Sequence, residues 1–159
     1  MRYCGQSDDF ACGPIAAGNA LKHFELLRSF SRVRVDFLKR FKCNRFSQGT
    51  NPIDFNNGIK NINENLIVIK RMHPSKEIFD SMLAKGYGAI VRFEWAKWNT
   101  CHYAFFEPRN KTGILRTWYR TANFWGGSIA MKLVSNCDVK LNLFKTTHKS
   151  LWVWFVRKR

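Results

Sequence analysis

Four residues along this chain have the types and spacing that acyl transfer through a thiol requires. Cys12 stands in the run Gln6-Ser-Asp-Asp-Phe-Ala-Cys12-Gly13-Pro14, ahead of Ala17, Ala20, Leu21, Phe24 and Leu27 on helical spacing. Pro14 suits the first turn of that helix, where a missing N–H costs nothing. A thiol at a helix start meets the positive end of the dipole, which lowers its pKa and presents it for attack. Gln6 offers an amide donor which, with the Cys12 backbone N–H, would form an oxyanion hole. Asp8 and Asp9 lie between the two, where negative charge opposes thiolate formation unless their side chains turn away.

A cysteine nucleophile needs a base. His23 falls inside the first helix, His73 precedes Pro74 at a strand-to-helix turn, and His148 lies in a basic link before the last strand. His102 opens an apolar strand, Tyr103–Phe106, which would hold the imidazole still. A hairpin pivoting at Asn110–Gly113 sets His102 roughly opposite Thr121, with Asn123 on the same side of the sheet. The Asn123 carboxamide would accept the imidazole N–H, and Trp125 would shield that bond. Asp138 is the fallback orienter. Cys101 is a rival thiol, expected in the core because strand neighbours point to opposite faces.

The elements that must position these groups divide by type. Helical stripes run through 14–28, through Val33, Phe37 and Phe41 in 32–42, and through Phe55, Ile59, Ile62 and Leu66 after Asn51-Pro52. Ser75 is a candidate N-cap for a helix stopped at Gly86. Strand signals follow at Gly88–Phe93, His102–Glu107, Ile114–Thr121, Ile129–Val134 and Leu151–Val156. Helices first and strands after predict an α+β fold in one domain, residues 1–159. Its helical part is about 1–85 and its antiparallel sheet part about 86–159.

Gln6, Cys12, His102 and Asn123-Phe124-Trp125-Gly126 together resemble the active-site series of the papain-like cysteine peptidases. The wording Cys12-Gly13-Pro14-Ile15-Ala16 is similar to the C39-like branch of that superfamily, and the series spans residues 6 to about 130. The departures are Gly13 where papain proper has Trp, no disulfide framework, and Thr117 and Trp118 where the C39-like branch places an Asp. The resemblance implies a nucleophile helix packed on an antiparallel sheet. It also implies a Cys12–His102 ion pair oriented by Asn123, and cleavage of an amide or isopeptide through a thioester, with no cofactor and no metal. Deamidase and acyltransferase chemistry would use the same fold. On that reading Gln6→Ala costs on the order of 10²–10³ in turnover.

Charge is the outlier of the composition. Among 159 residues, 27 Lys and Arg face 11 Asp and Glu, a net charge of +16. The run Arg28, Arg32, Arg34, Lys39, Arg40, Lys42 and Arg45, with the terminal Arg157-Lys158-Arg159, marks a surface for nucleic acid or another polyanion. A basic nucleic-acid-binding or virion-associated protein on an inactive papain-like scaffold is therefore the alternative to a peptidase. Hydrophobic residues at 45% exclude fibrous and largely disordered classes. The longest apolar runs fall far short of the ~20 residues of a membrane span. Cysteines at 4, 12, 43, 101 and 137 form no C-x-x-C pair. With no signal-peptide core in Met-Arg-Tyr-Cys-Gly-Gln, the expectation is a soluble protein with free thiols in the reducing cytoplasm of a bacterial or phage-infected cell.

Overall fold

The computed structural model describes residues 11–27, 34–43, 49–95, 100–109, 118–122, 132–145 and 151–159. Among them, helices α1 (Cys12–His23), α2 (Arg34–Arg40) and α3 (Pro52–Lys60) precede β1 (Leu66–Met72). Helix α4 (Lys76–Ala84), strands β2 (Gly88–Trp95), β3 (Thr100–Phe106), β4 (Trp118–Ala122) and β5 (Lys132–Ser135), helix α5 (Asn136–Leu143) and β6 (Trp152–Lys158) complete the order. The six strands form one antiparallel sheet in the order β1-β6-β2-β3-β4-β5. The fold is α+β.

Strand alternation sorts the core into two apolar clusters. Leu66, Ile90, Tyr103, Phe105, Ala122, Trp154 and Val156 meet α1, α2 and α3 on one face. Ala89, Val91, Phe93, Ala104, Phe106, Tyr119, Val153 and Phe155 meet α4 and α5 on the other. The sheet is thus the middle of three layers.

Local signals account for most of the elements. Asn51 caps α3 by accepting from the Ile53 and Asp54 N–H groups, with Pro52 at the first helical position. Ser75 caps α4 by accepting from Ile78 N at 3.3 Å. Past the end of α4, Gly86 sits at φ +86, a left-handed conformation that glycine adopts without steric cost.

Three expectations are corrected. Leu66 does not extend the stripe of α3 but starts β1, which pairs with β6 along its full length; Ile67-Val68-Ile69 are β-branched and fit a pleated, half-buried surface. Helix α5 interrupts the strands, capped by Ser135, whose Oγ accepts from Asp138 N at 3.0 Å. The helical and sheet parts therefore interleave instead of dividing near residue 85. Finally, Thr121 pairs with Phe106 and Ala122 with Phe105, so Thr121 is not opposite His102. The partner of His102 on its other side is Phe93.

Candidate active site

Helix α1 is buried along most of its length, from Cys12 through Leu21, and it leans on β3. Small residues make that approach close: Ala16, Ala17 and Ala20 are fully buried. Gly13 belongs to the same economy of size. A Cβ at that position would stand 3.2 Å from the Thr50 side chain, tighter than ordinary contact, so glycine admits Thr50 to the start of α1.

Cys12 opens α1 and is 5% exposed. Its thiol lies among the backbone N–H groups of Tyr103, Gly13 and Cys12 itself, each of which favours the thiolate. Burial outweighs them and raises the thiol from 9.0 to about 11, with the Cys43 thiol adding in the same direction. The helix dipole was expected to lower this pKa and present the sulfur to solvent; desolvation reverses the balance, and the resting group is a neutral, buried thiol.

His102 lies on β3 next to the Tyr103 amide that touches Cys12. Its ring makes an edge contact with Phe93, centroids 5.7 Å apart. Phe93 belongs to the cluster under α4 and α5, whereas Cys12 and Tyr103 belong to the cluster under α1. Alternation along β3 thus points the His102 imidazole away from the face of Tyr103, so the thiol packed beside Tyr103 and the imidazole lie on opposite faces of the sheet. Gln6, Asp8, Asp9, Asn123 and Trp125 lie outside the described residues, as do Thr117 and Cys4. Asp138 sits in the first turn of α5, where its carboxylate accepts from Ser135 Oγ at 2.6 Å. That is a capping role.

The other histidines are placed differently. His23 ends α1, half-buried, with Nδ1 3.9 Å from Glu107 Oε1; burial lowers its pKa against the pull of Glu107. His73 occupies an exposed turn at φ +46, and His148 lies outside the described residues. Cys12, Cys43, Cys101 and Cys137 are free thiols.

The strand register assembles a row that sequence reasoning did not name. Met72, Trp152, Arg92 and Tyr103 follow one another across β1, β6, β2 and β3. Arg92 interacts with the Tyr103 phenol, and its Nη2 donates to Cys101 Sγ at 2.6 Å. Tyr103 Oη donates to the Thr50 carbonyl at 3.1 Å, which ties the segment before α3 to β3 beside Cys12. Cys101 is exposed, not core. It shares the face of Tyr103 and Phe105 but stands near the strand's end, outside the apolar cluster. Only cross-strand register joins Arg92 to Cys12, and no motif marks it.

Among the described residues no group of three or more His, Cys, Asp or Glu side chains is placed to hold a metal ion. No helix among them is long and apolar enough to cross a membrane. No family model and no curated protein matches this chain. The chemistry of the site therefore rests on its residues alone.

Proposed function

We propose that the chain is a papain-like thiol hydrolase that cleaves an amide or isopeptide bond with Cys12 as nucleophile. The observation that supports this reading is a buried thiol at the start of a long helix, ringed by backbone N–H groups and touching the strand residue next to His102. Those N–H groups stabilise negative charge on sulfur once the proton leaves. His102 takes that proton, the thiolate attacks the carbonyl carbon, and the Cys12 N–H with Gln6 holds the oxyanion. His102 then protonates the leaving amine, and water attacks the thioester with His102 as base. Asn123 orients the ring. Because the resting thiol is neutral and the imidazole packs on Phe93, on the face of β3 away from α1, this reading requires substrate engagement to release His102 from that contact and bring it to the thiol.

The test is a peptide acyloxymethyl ketone at neutral pH, with the modified cysteine mapped by mass spectrometry. Cys12 is expected to react ahead of the exposed Cys101 and Cys137, and His102→Ala to slow it by at least about tenfold. Labelling that simply follows exposure, with Cys12 last and indifferent to His102, would overturn the reading.

A second reading, a polyanion-binding protein on a catalytically silent scaffold, is favoured by the +16 charge and by the neutral, buried state of Cys12. Lys39, Arg40 and Lys42 are exposed at the end of α2, which Arg34 opens; Arg28, Arg32 and Arg45 lie outside the described residues. An inert Cys12 together with nucleic-acid binding that survives physiological salt would select this reading.

A further inference from the structure

The two basic runs of the sequence, around residue 40 and at the C-terminus, are brought together by the loop between α3 and β1. Arg40 Nη1 donates to the Asn61 carbonyl at 3.5 Å, at one end of that loop. Arg159 N donates to the Asn65 carbonyl at 2.9 Å, at its other end. Lys60 closes α3 just before the loop, and Lys158 pairs with Leu66 just after it. Asn63 Oδ1 accepts from Asn65 N at 2.9 Å and shapes the bend between them.

Lys39, Arg40, Lys60, Lys158 and Arg159 are all exposed on this end of the molecule. The acids that share it are Asp36 on α2 and Glu64 in the loop. Lys42 is engaged by Asp54 at 2.9 Å and is left out of the surface. Arg157 turns to the other face of β6, over the Tyr87 ring, 4.6 Å from its centroid. Lys39, Arg40, Lys60, Lys158 and Arg159 offer charge and no ring on which a base would stack. The pattern suits a phosphate backbone read without regard to sequence.

We propose that this surface, formed by the end of α2, the α3–β1 loop and the end of β6, binds the phosphate backbone of nucleic acid. It deepens the polyanion reading and rests on it. It does not depend on the chemistry of Cys12, because the basic end of β6 is the far end of that strand from Trp152 and the Arg92–Tyr103 row.

The experiment measures fluorescence anisotropy of a labelled 20-base-pair duplex and an oligo-dT of equal length, titrated with full-length protein across a salt series. Three double variants each remove two charges: Arg40→Gln/Lys60→Gln, Lys158→Gln/Arg159→Gln, and Lys140→Gln/Lys145→Gln on α5 and just beyond it as the matched control. Each of the first two is expected to weaken duplex binding by about tenfold and to flatten the log–log salt slope by roughly 2, while the control leaves the slope nearly unchanged. The urea unfolding midpoint should be nearly the same in all three as in the parent, which reports that they are folded. Equal losses in all three would mean binding by overall charge, overturning the surface while the polyanion reading stands. No binding by the parent protein at 50 mM salt would overturn both. Tighter binding to phosphatidylserine vesicles than to either oligonucleotide, lost in the first two variants, would assign the surface to anionic membrane and overturn the nucleic-acid proposal.

Discussion

The two faces of the sheet are built by different physics. Under α1, α2 and α3 the centre is apolar: Phe55 stacks on Phe41 and Tyr103 and tilts against Trp154, with centroids 4.6 to 5.0 Å apart. Its polar ties lie around that centre: Tyr103 Oη to the Thr50 carbonyl, Trp154 Nε1 to Asn56 Oδ1 at 3.2 Å, and at the margin the pairs of Glu107 with His23 and of Asp54 with Lys42. Under α4 and α5 the apolar centre, Phe79, is rimmed by charge. Asp80 accepts from Tyr119 Oη at 2.6 Å and from Arg109 at 3.2 Å, and Lys76 joins the same carboxylate. Arg109 also lies over the Tyr119 ring, 4.2 Å from its centroid. The lesson concerns Cys12. The thiol lies on the dry face and the Lys76 and Arg109 cations of the network on the other, so desolvation decides the protonation of the sulfur and no cation of that network can offset it.

The sharpest way to break this comparison is to empty the dry face. Phe55→Ala removes a fully buried ring from the middle of four aromatics and should cost about 3–5 kcal/mol in urea unfolding. A loss under about 1 kcal/mol would mean that the aromatic stack is not what holds α3 to the sheet. The next effect is a pH dependence. The Cys12 thiol is raised from 9.0 to about 11, so the folded state holds its proton where the unfolded state has released it. Its contribution to stability is whole below pH 9 and is lost as pH rises through 11, in total roughly 3 kcal/mol. Unfolding curves from pH 8 to 11 should therefore fall more steeply for the parent than for Cys12→Ala. Parallel curves would show that the sulfur is solvated after all.

Much of this arrangement was legible, for reasons that can be traced to particular residues. The Ser75 and Gly86 boundaries of α4 are local signals, and each falls where the sequence placed it; the α1 stripe was read through Leu27, but the helix ends at His23, with Glu25 at φ +59. Helix α5 was missed because its inward pair, Val139 and Leu143, spans a single turn and makes no stripe. Leu66 was misread because it lies at helical spacing from Ile59 and Ile62, and only its pairing with Lys158 shows it to be a strand residue. The site was legible to a lesser degree. Cys12 and His102 do fall on a helix start and on the strand that the helix touches. Which face of the strand each group takes depends on register, and the hairpin register was misplaced by assuming the turn at Asn110–Gly113. Burial of the thiol depends on long-range packing around Thr50 and Tyr103, which no local pattern reports.

On the charged face, Asp80→Ala removes the acceptor shared by Tyr119, Arg109 and Lys76, leaving the Tyr119 hydroxyl to Asn136 Oδ1 at 3.3 Å and Arg109 to the Trp118 carbonyl at 3.5 Å. Asp80 is 29% exposed, which lets water replace part of what is lost, so the cost should be about 1–2 kcal/mol. It should shrink in high salt, whereas the Phe55→Ala loss should not. A salt response shared by both variants would erase the distinction between the faces.

The smallest predicted effect compares two helix caps, one under each face. Ser75→Ala removes one acceptor at the start of α4 and should cost about 1 kcal/mol. Asn51→Ala removes an acceptor for two N–H groups, Ile53 at 3.0 Å and Asp54 at 2.9 Å, and a donor to the Asp54 carboxylate. Its cost as a purely local cap should be slightly larger, up to about 2 kcal/mol. Asn51, however, follows Thr50, whose carbonyl receives the Tyr103 phenol beside Cys12. If the cap is local, Asn51→Ala leaves the alkaline fall in stability assigned to Cys12 where it was. If instead the cap holds Thr50 against α1, the same variant wets the thiol, and that alkaline fall becomes shallower along with the loss of stability. Ser75→Ala has no such route to Cys12, so a change in alkaline stability from it would mean that the two faces are coupled through the sheet.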